Sequence, residues 1–309
     1  MHMADALLSP AVGAAGYGIS GGLLARAARR VAGDRDYERQ VPLMGVLGAF
    51  IFAAQMINFS IPGTGSSGHI GGGLLLSILL GPWPAFLVIA SVLTVQCFFF
   101  LDGGLLALGC NTFNLGFWPA FLGLPLYRWI RGRSRSPLRE TLAVVTACVV
   151  ALELGAFGVV AETLLSGRTD IPPGGFLALM LGIHFPIALG EGLLTGMVVA
   201  WARRFFADRV TPLSDQPAGS GFKPLLVAFG LLALLTAGVL AWFASANPDG
   251  LEWSLQKVTG ALEPEGVSSS KLEISMGGLK GAALTALLIG ALGWGLHRLR
   301  PRPGKNQIV

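Results

Sequence analysis

The chain has 309 residues, of which 53% belong to the apolar set AVILMFWYC and only 13% are charged, against about 25% charged in an average soluble domain. With a mean hydropathy of +0.65, such a chain cannot cover a water-soluble globule, and its 44 glycines carry no collagen period. Soluble enzyme, fibre and disordered tail are excluded, and helices packed closely in lipid remain.

The chain opens Met-His-Met-Ala-Asp-Ala-Leu-Leu-Ser-Pro, with no basic n-region and no cleavage pattern, so no signal peptide is expected. The bulky His2 blocks removal of the initiator, which leaves Met1 as the expected terminus. Apolar stretches then predict helices at about 11–31, 42–60, 71–81, 84–101, 104–127, 139–165, 175–202, 224–245 and 276–297. Most approach the ~20 residues needed to cross a bilayer, whereas 71–81 is half-length. If every stretch crosses with the N-terminus outside, all of the 22 Lys and Arg except Arg168, Lys257, Lys271 and Lys280 face the cytoplasm. The positive-inside rule therefore favours nine crossings, N-terminus out and C-terminus in. The basic charge reads as a topology signal, and no nucleic-acid partner is expected.

The expected fold class is an all-α polytopic membrane protein. It has about seven helices in a main bundle, one of them half-length, and a two-helix C-terminal unit. The polar Gly/Pro/Ser-rich stretch around 211–221 reads as a cytoplasmic linker between a bundle at 1–210 and the unit at 222–309, whose external loop runs from Ser245 to Ser275. Cys97, Cys110 and Cys148 read as buried apolar residues rather than a disulfide framework.

Four nitrogens stand out. The Met1 amine, the His2 amide and the His2 Nδ1 can close adjacent chelate rings around one metal, leaving one equatorial position open. Nitrogen ligation in a plane suits Ni(II) or Cu(II). His69 follows a Gly-rich uncharged loop at the mouth of the half-helix, on the same side as Met1, and can supply the fourth donor. A competing pattern, Gly65-Ser66-Ser67-Gly68, is a G-x-S-G string of the kind found around intramembrane serine-protease nucleophiles, with His184 as a possible base. A purely structural scaffold is the third class.

Polar residues within the apolar stretches are costly and point to function. They are Gln55, Asn58, Gln96, Asp102, Asn111, Asn114, Glu153, Glu162, His184 and Glu191. Their expected role is to orient the imidazoles or hold the N-terminal segment, with Ser67 added from the loop, or else to bond between helices. His184 and Glu191, two turns apart, can pair, and Asn111 and Asn114 share a helix face. No G-x-x-x-x-G-K-[S/T] string occurs in the sequence, so a P-loop ATPase activity is not expected of this chain.

The strings MHMADALLSP, NFSIPGTGSSGHIGGGLL with LLGPWPA after it, DGGLLALGCNTFNLG and GIHFPIALGEGLLTG resemble the substrate-binding component of nickel/cobalt energy-coupling factor transporters, the CbiM/NikM family. PDGLEWS, Pro248 to Ser254, resembles the external loop of the small two-helix component of the same systems, which makes the whole similar to a NikMN-type fusion. The resemblance implies a transport component rather than an enzyme, with a metal bound outside by Met1, His2 and His69 and no organic cofactor. It also implies a transmembrane coupling subunit and two cytoplasmic ABC ATPases as partners, in the lipid of a bacterial cytoplasmic (inner) membrane. Small residues such as Gly13, Gly16 and Gly21 suit contacts with the coupling subunit. Nickel is favoured as cargo, with cobalt(II), destined for cobalamin synthesis, as the alternative.

Overall fold

The computed structural model describes residues 2–34, 37–134, 136–168, 170–205, 223–260 and 270–299. Met1 and the linker expected at 211–221 lie outside them. Helices dominate: α1 Pro10–Ala32, α2 Tyr37–Gln55, α3 Gly73–Leu80, α4 Pro82–Val95, α5 Leu108–Thr112, α6 Leu124–Arg131, α7 Pro137–Ser166, α8 Pro173–Phe205, α9 Lys223–Gly238, α10 Gly250–Thr259 and α11 Lys271–Leu299. A two-stranded antiparallel hairpin, β1 Phe59–Ile61 and β2 Ser66–Gly68, pairs Ser60 with Ser67. This is the expected all-α membrane architecture. The stretch 82–100 and helices α7, α8 and α11 are each long and apolar enough to cross a membrane.

The helix ends follow from local chemistry. Ser9 caps α1 by accepting from the Val12 N–H, and Pro10 occupies the first turn, where its missing N–H costs nothing. α3 is only eight residues long, roughly 12 Å. It starts after Gly72 (φ 75°) and is cut from α4 by Gly81 (φ 88°), both in a region that glycine tolerates. α4 widens into a π-helical turn, Gln96–Phe100. A second π-helical stretch, Phe113–Gly123, joins α5 to α6 with unbroken helical dihedrals.

Small residues set the packing inside the bundle. The Gly16 Cα faces Cys110, and Gly109 lies against the backbone of Gly16 and Tyr17, so α1 and α5 meet almost backbone to backbone. The Ser20 hydroxyl donates to the Gly109 carbonyl at 2.6 Å. Gly13 and Gly16 are therefore used within the chain, against Leu106 and Cys110, and of the three glycines singled out in this helix only Gly21 is open. All three cysteines are buried free thiols.

The C-terminal helices dock on α2: Gly281 admits Phe52, Gly293 admits Val41, and Phe229 of α9 meets Phe50. At the far end of the bundle Glu140 accepts from Tyr127 and Arg131 and pairs with Arg203, tying α6, α7 and α8 together.

Several element limits differ from the sequence reading. α2 stops at Gln55 rather than near 60, because the chain turns into the hairpin. α9 stops at Gly238 and is followed by a 3-10 turn, Leu240–Phe243. The external loop expected from Ser245 contains α10, opened by a capping box in which Asp249 accepts from the Glu252 N–H and Glu252 accepts from the Asp249 N–H.

Candidate metal centre

Two segments distant in sequence place His2. The Met3 N–H donates to the Asn111 side chain at 2.8 Å, while the Met3 carbonyl accepts from Asn111 Nδ2 at 3.1 Å and from the Gly104 N–H at 3.0 Å. The Met3 side chain is fully buried. Asp5 accepts from the Ala107 N–H, so the N-terminal segment lies along residues 102–111 like an extra strand of backbone. Asn111 is thus a two-point clamp on the residue after His2. Met3 and Asp5 were not among the candidate residues. The only sequence signal for them is their place within three residues of His2.

Asp102 reaches His2 through an uncommon backbone. The π-helical turn ends in Leu101, which has φ 55° and is 88% exposed, the one non-glycine residue with positive φ among the described residues. Such a conformation is unfavourable for a residue with a side chain and often marks a functional site. It turns Asp102 back so that Oδ1 lies 2.9 Å from His2 Nδ1. A Cβ on Gly104 would collide with Asp5, whereas Gly103 has φ 82° and a Cβ there would press on the Asn111 side chain.

His69 comes from the hairpin. Its ring stacks on that of His2, with centroids 5.1 Å apart and planes inclined by 23°. Its Nδ1 sits 3.1 Å from the Ile70 carbonyl. A carbonyl only accepts, so Nδ1 carries the proton and Nε2 the lone pair. Burial is the main force pushing His69 down to about 3, which leaves a neutral imidazole suited to a metal. For Asp102, burial alone acts upward. The His2 imidazole outweighs it by charge and hydrogen bond, with His69 adding to the effect, and brings the carboxyl down to about 2.

The two rings line a cavity of about 370 Å³ shared with Gln55, Met56, Asn58, Gln96, Asp102, Asp249 and Glu252. Asp249 and Glu252 come from the C-terminal unit, whose segment before and into α10 straps over the hairpin. Asn58 receives the Ser245 N–H on its carbonyl at 2.7 Å. The Ser67 N–H donates to the Pro248 carbonyl and its hydroxyl to the Asn247 carbonyl, both at 2.7 Å. Trp253 Nε1 donates to the Thr64 carbonyl at 2.9 Å. Ser67 is fully buried as an anchor of this strap. The capping-box pattern Asp249-x-x-Glu252 was the available sequence signal for α10.

The remaining candidates separate. His184 donates from Nδ1 to the Met180 carbonyl, and its ring packs under Gly250 of the strap. Glu191 accepts from the N–H groups of Gly71 and Gly72. The expected His184–Glu191 pair does not form. Seven residues of helix separate the two by roughly 10 Å, and each finds backbone nearer. Asn111 turns to Met3, whereas Asn114 donates to Glu162, since the π-helical stretch beginning at Phe113 changes the phase between them. Gln96 donates to Gln55, which donates to the Gly71 carbonyl. Among the described residues no three His, Cys, Asp or Glu side chains converge as a metal site. A site at His2 and His69 would therefore draw on backbone nitrogen.

Residues 2–209 match the family described as cobalt uptake substrate-specific transmembrane region, and residues 223–272 match the PDGLE domain. The chain is 33% identical over 234 residues to a putative fused nickel transport protein NikMN of Archaeoglobus fulgidus, covering 76% of this chain and 75% of that one. It is 30% identical over 250 residues to a probable fused nickel transport protein LarMN of Lactiplantibacillus plantarum, covering 76% and 72%. A crystal structure of a transition metal transporter superposes with a TM-score of 0.58 at 29% identity, covering 66% of this chain and 93% of that one. The chain belongs to the CbiM family of cobalt-uptake substrate-specific transmembrane proteins, carries a PDGLE domain after it, and serves metal uptake.

Proposed function

We propose that the chain is the substrate-capture subunit of an ATP-driven importer whose cargo is Ni(II). The metal is held by the Met1 amine, the His2 amide nitrogen and Nδ1, and His69. The observation that carries this reading is the stacking of the His2 and His69 rings in one buried corner, each delivered by a different segment. A chelate through His2 Nδ1 requires that nitrogen to exchange its Asp102 partner for the metal. Nitrogen donors in a plane favour Ni(II), and Co(II) can share them. The fused nickel transport relatives incline the reading to nickel over cobalt.

Asn111 holds the N-terminal segment, while Asp102, Asn58 and Ser67 shape the chamber around the rings. The bundle 1–210 forms the metal-binding part, the unit 222–309 supplies the strap, and 211–221 links them. The segregation of basic residues supports an N-terminus outside and a C-terminus inside a bacterial cytoplasmic membrane. A transmembrane coupling subunit and two ABC ATPases provide the energy.

Nickel accumulation in cells that also produce those partners tests the assignment. His2→Ala and His69→Ala each abolish uptake at unchanged protein level, and normal uptake by either variant overturns the ligand set. One residue added before Met1 is expected to act like His2→Ala, whereas a C-terminal tag is silent.

A further inference from the structure

The loop that delivers His69 is held by a side chain of α8, which packs against the hairpin. Glu191, on α8, is 4% exposed, and its two carboxylate oxygens accept from successive backbone N–H groups, Gly71 at 2.8 Å and Gly72 at 2.9 Å. Charge-assisted bonds to backbone N–H groups are among the stronger ones a protein makes. The same peptide is gripped from its other side, where Gln55 Nε2 donates to the Gly71 carbonyl at 2.7 Å and Gln96 in turn donates to Gln55. Both polar groups of Gly71 are therefore committed to buried side chains, two residues after His69.

The local backbone explains why a carboxylate stands there. Gly72 has φ 75° and precedes the first turn of α3, where N–H groups have no helical partner. A Cβ at Gly71 would press on the Glu191 carboxylate, and one at Gly72 would collide with Ile51, so this approach depends on two glycines. Glutamine at 191 would offer one acceptor oxygen and turn an N–H₂ toward a backbone donor.

We propose that Glu191 is a positioning residue for metal capture: through the Gly71 and Gly72 amides it fixes where the His69 imidazole stands against His2. This rests on the assignment of His69 as a ligand. Glu191 touches neither imidazole and acts only through the loop.

The test uses the full chain with its native N-terminus, wild type and Glu191→Gln, in two measurements. Hydrogen exchange on the metal-free proteins reads the clamp alone. The Gly71 and Gly72 amides are expected to be protected in the wild type and to exchange faster in Glu191→Gln. Nickel titration with visible absorption reads the positioning. Affinity is expected to fall about 10- to 100-fold, the usual cost of losing a group that orients a ligand, with the d–d band displaced. Glu273→Gln, which alters an exposed carboxylate bonded to Ser270 instead, leaves both readouts unchanged.

Unprotected amides in the wild type, or wild-type affinity and band in Glu191→Gln, overturn the proposal. A wild type with protected amides but no His69-dependent nickel band overturns the ligand assignment, and the positioning role with it, while the clamp stands. If Glu191→Gln does not accumulate, Glu191→Asp replaces it. A carboxylate one methylene shorter cannot reach both amides, so the band is expected to move in the same direction, and an unmoved band overturns the proposal.

Discussion

Asp102 Oδ1 lies 2.9 Å from His2 Nδ1, the very nitrogen that a chelate through the His2 amide needs. Without metal the carboxylate holds the ring, and on the proposed ligation it must give way to the cargo. An interaction present before binding and lost on binding lowers affinity by its own strength. The Asp102 side chain is 49% exposed, so solvent screens the pair and the bond is worth on the order of 1 kcal/mol. Asp102→Asn is therefore expected to lower the thermal stability of the metal-free protein while raising nickel affinity about fivefold, as read by calorimetry. A large loss of affinity would instead make Asp102 part of the bound state.

The pH dependence of stability follows from His69. Its folded pKa, about 3, lies below the unfolded value of 6.5, so between these limits the unfolded chain binds more protons than the folded one. Stability of the metal-free protein is expected to fall as pH drops from about 6.5 toward about 3. The acid loss is smaller in His69→Gln, which has no proton to gain; chemical denaturation at a series of pH values reads the difference.

Because His69 is already neutral above that range, the pH edge of nickel binding is set elsewhere. An unperturbed terminal amine titrates near 7.7–8.0, so binding is expected to weaken as pH falls through and below that range. Equilibrium dialysis at fixed nickel across pH locates the edge. An edge near 3 would contradict amine ligation.

Gly104→Ala tests the N-terminal track. A Cβ there would land on the Asp5 carboxylate and its backbone, with rigid main chain on both sides. The N-terminal segment must then move off residues 102–111. Nickel affinity is expected to drop more than tenfold, of the order seen when ligand-orienting contacts are lost, with the helical circular-dichroism signal kept.

The strap yields a separate prediction. Trp253→Phe removes the donor to the Thr64 carbonyl but keeps the ring, so the loss is one hydrogen bond, about 1 kcal/mol. Ser67→Ala removes the bond to the Asn247 carbonyl at similar cost. Both variants are expected to bind nickel and to release it faster, measured by chelator challenge. Abolished function with intact metal binding in Ser67→Ala would revive the nucleophile reading of that serine.

The helices were legible because apolar length and breakers are written locally, and His2 and His69 could be singled out as candidates because a His near the start of the chain or in a Gly-rich loop stands out in an apolar sequence. Asn111 could be listed among polar residues, but its partner could not, since the bond to Met3 joins residues far apart in sequence. The same limit hid the strap: Ser67, Thr64 and Asn58 meet Asn247, Trp253 and Ser245 through backbone atoms, which carry no residue code. The left-handed Leu101 was invisible for another reason. Nothing in a leucine announces a positive φ, and only the surrounding packing imposes it.

The most direct measurement is the metal content and visible absorption of the purified protein with its native N-terminus. One equivalent of Ni(II) is expected, with a d–d band of square-planar nitrogen ligation that is lost in both His2→Ala and His69→Ala. A folded protein that takes up no nickel after supplementation, or whose band survives either substitution, would contradict the proposed ligation.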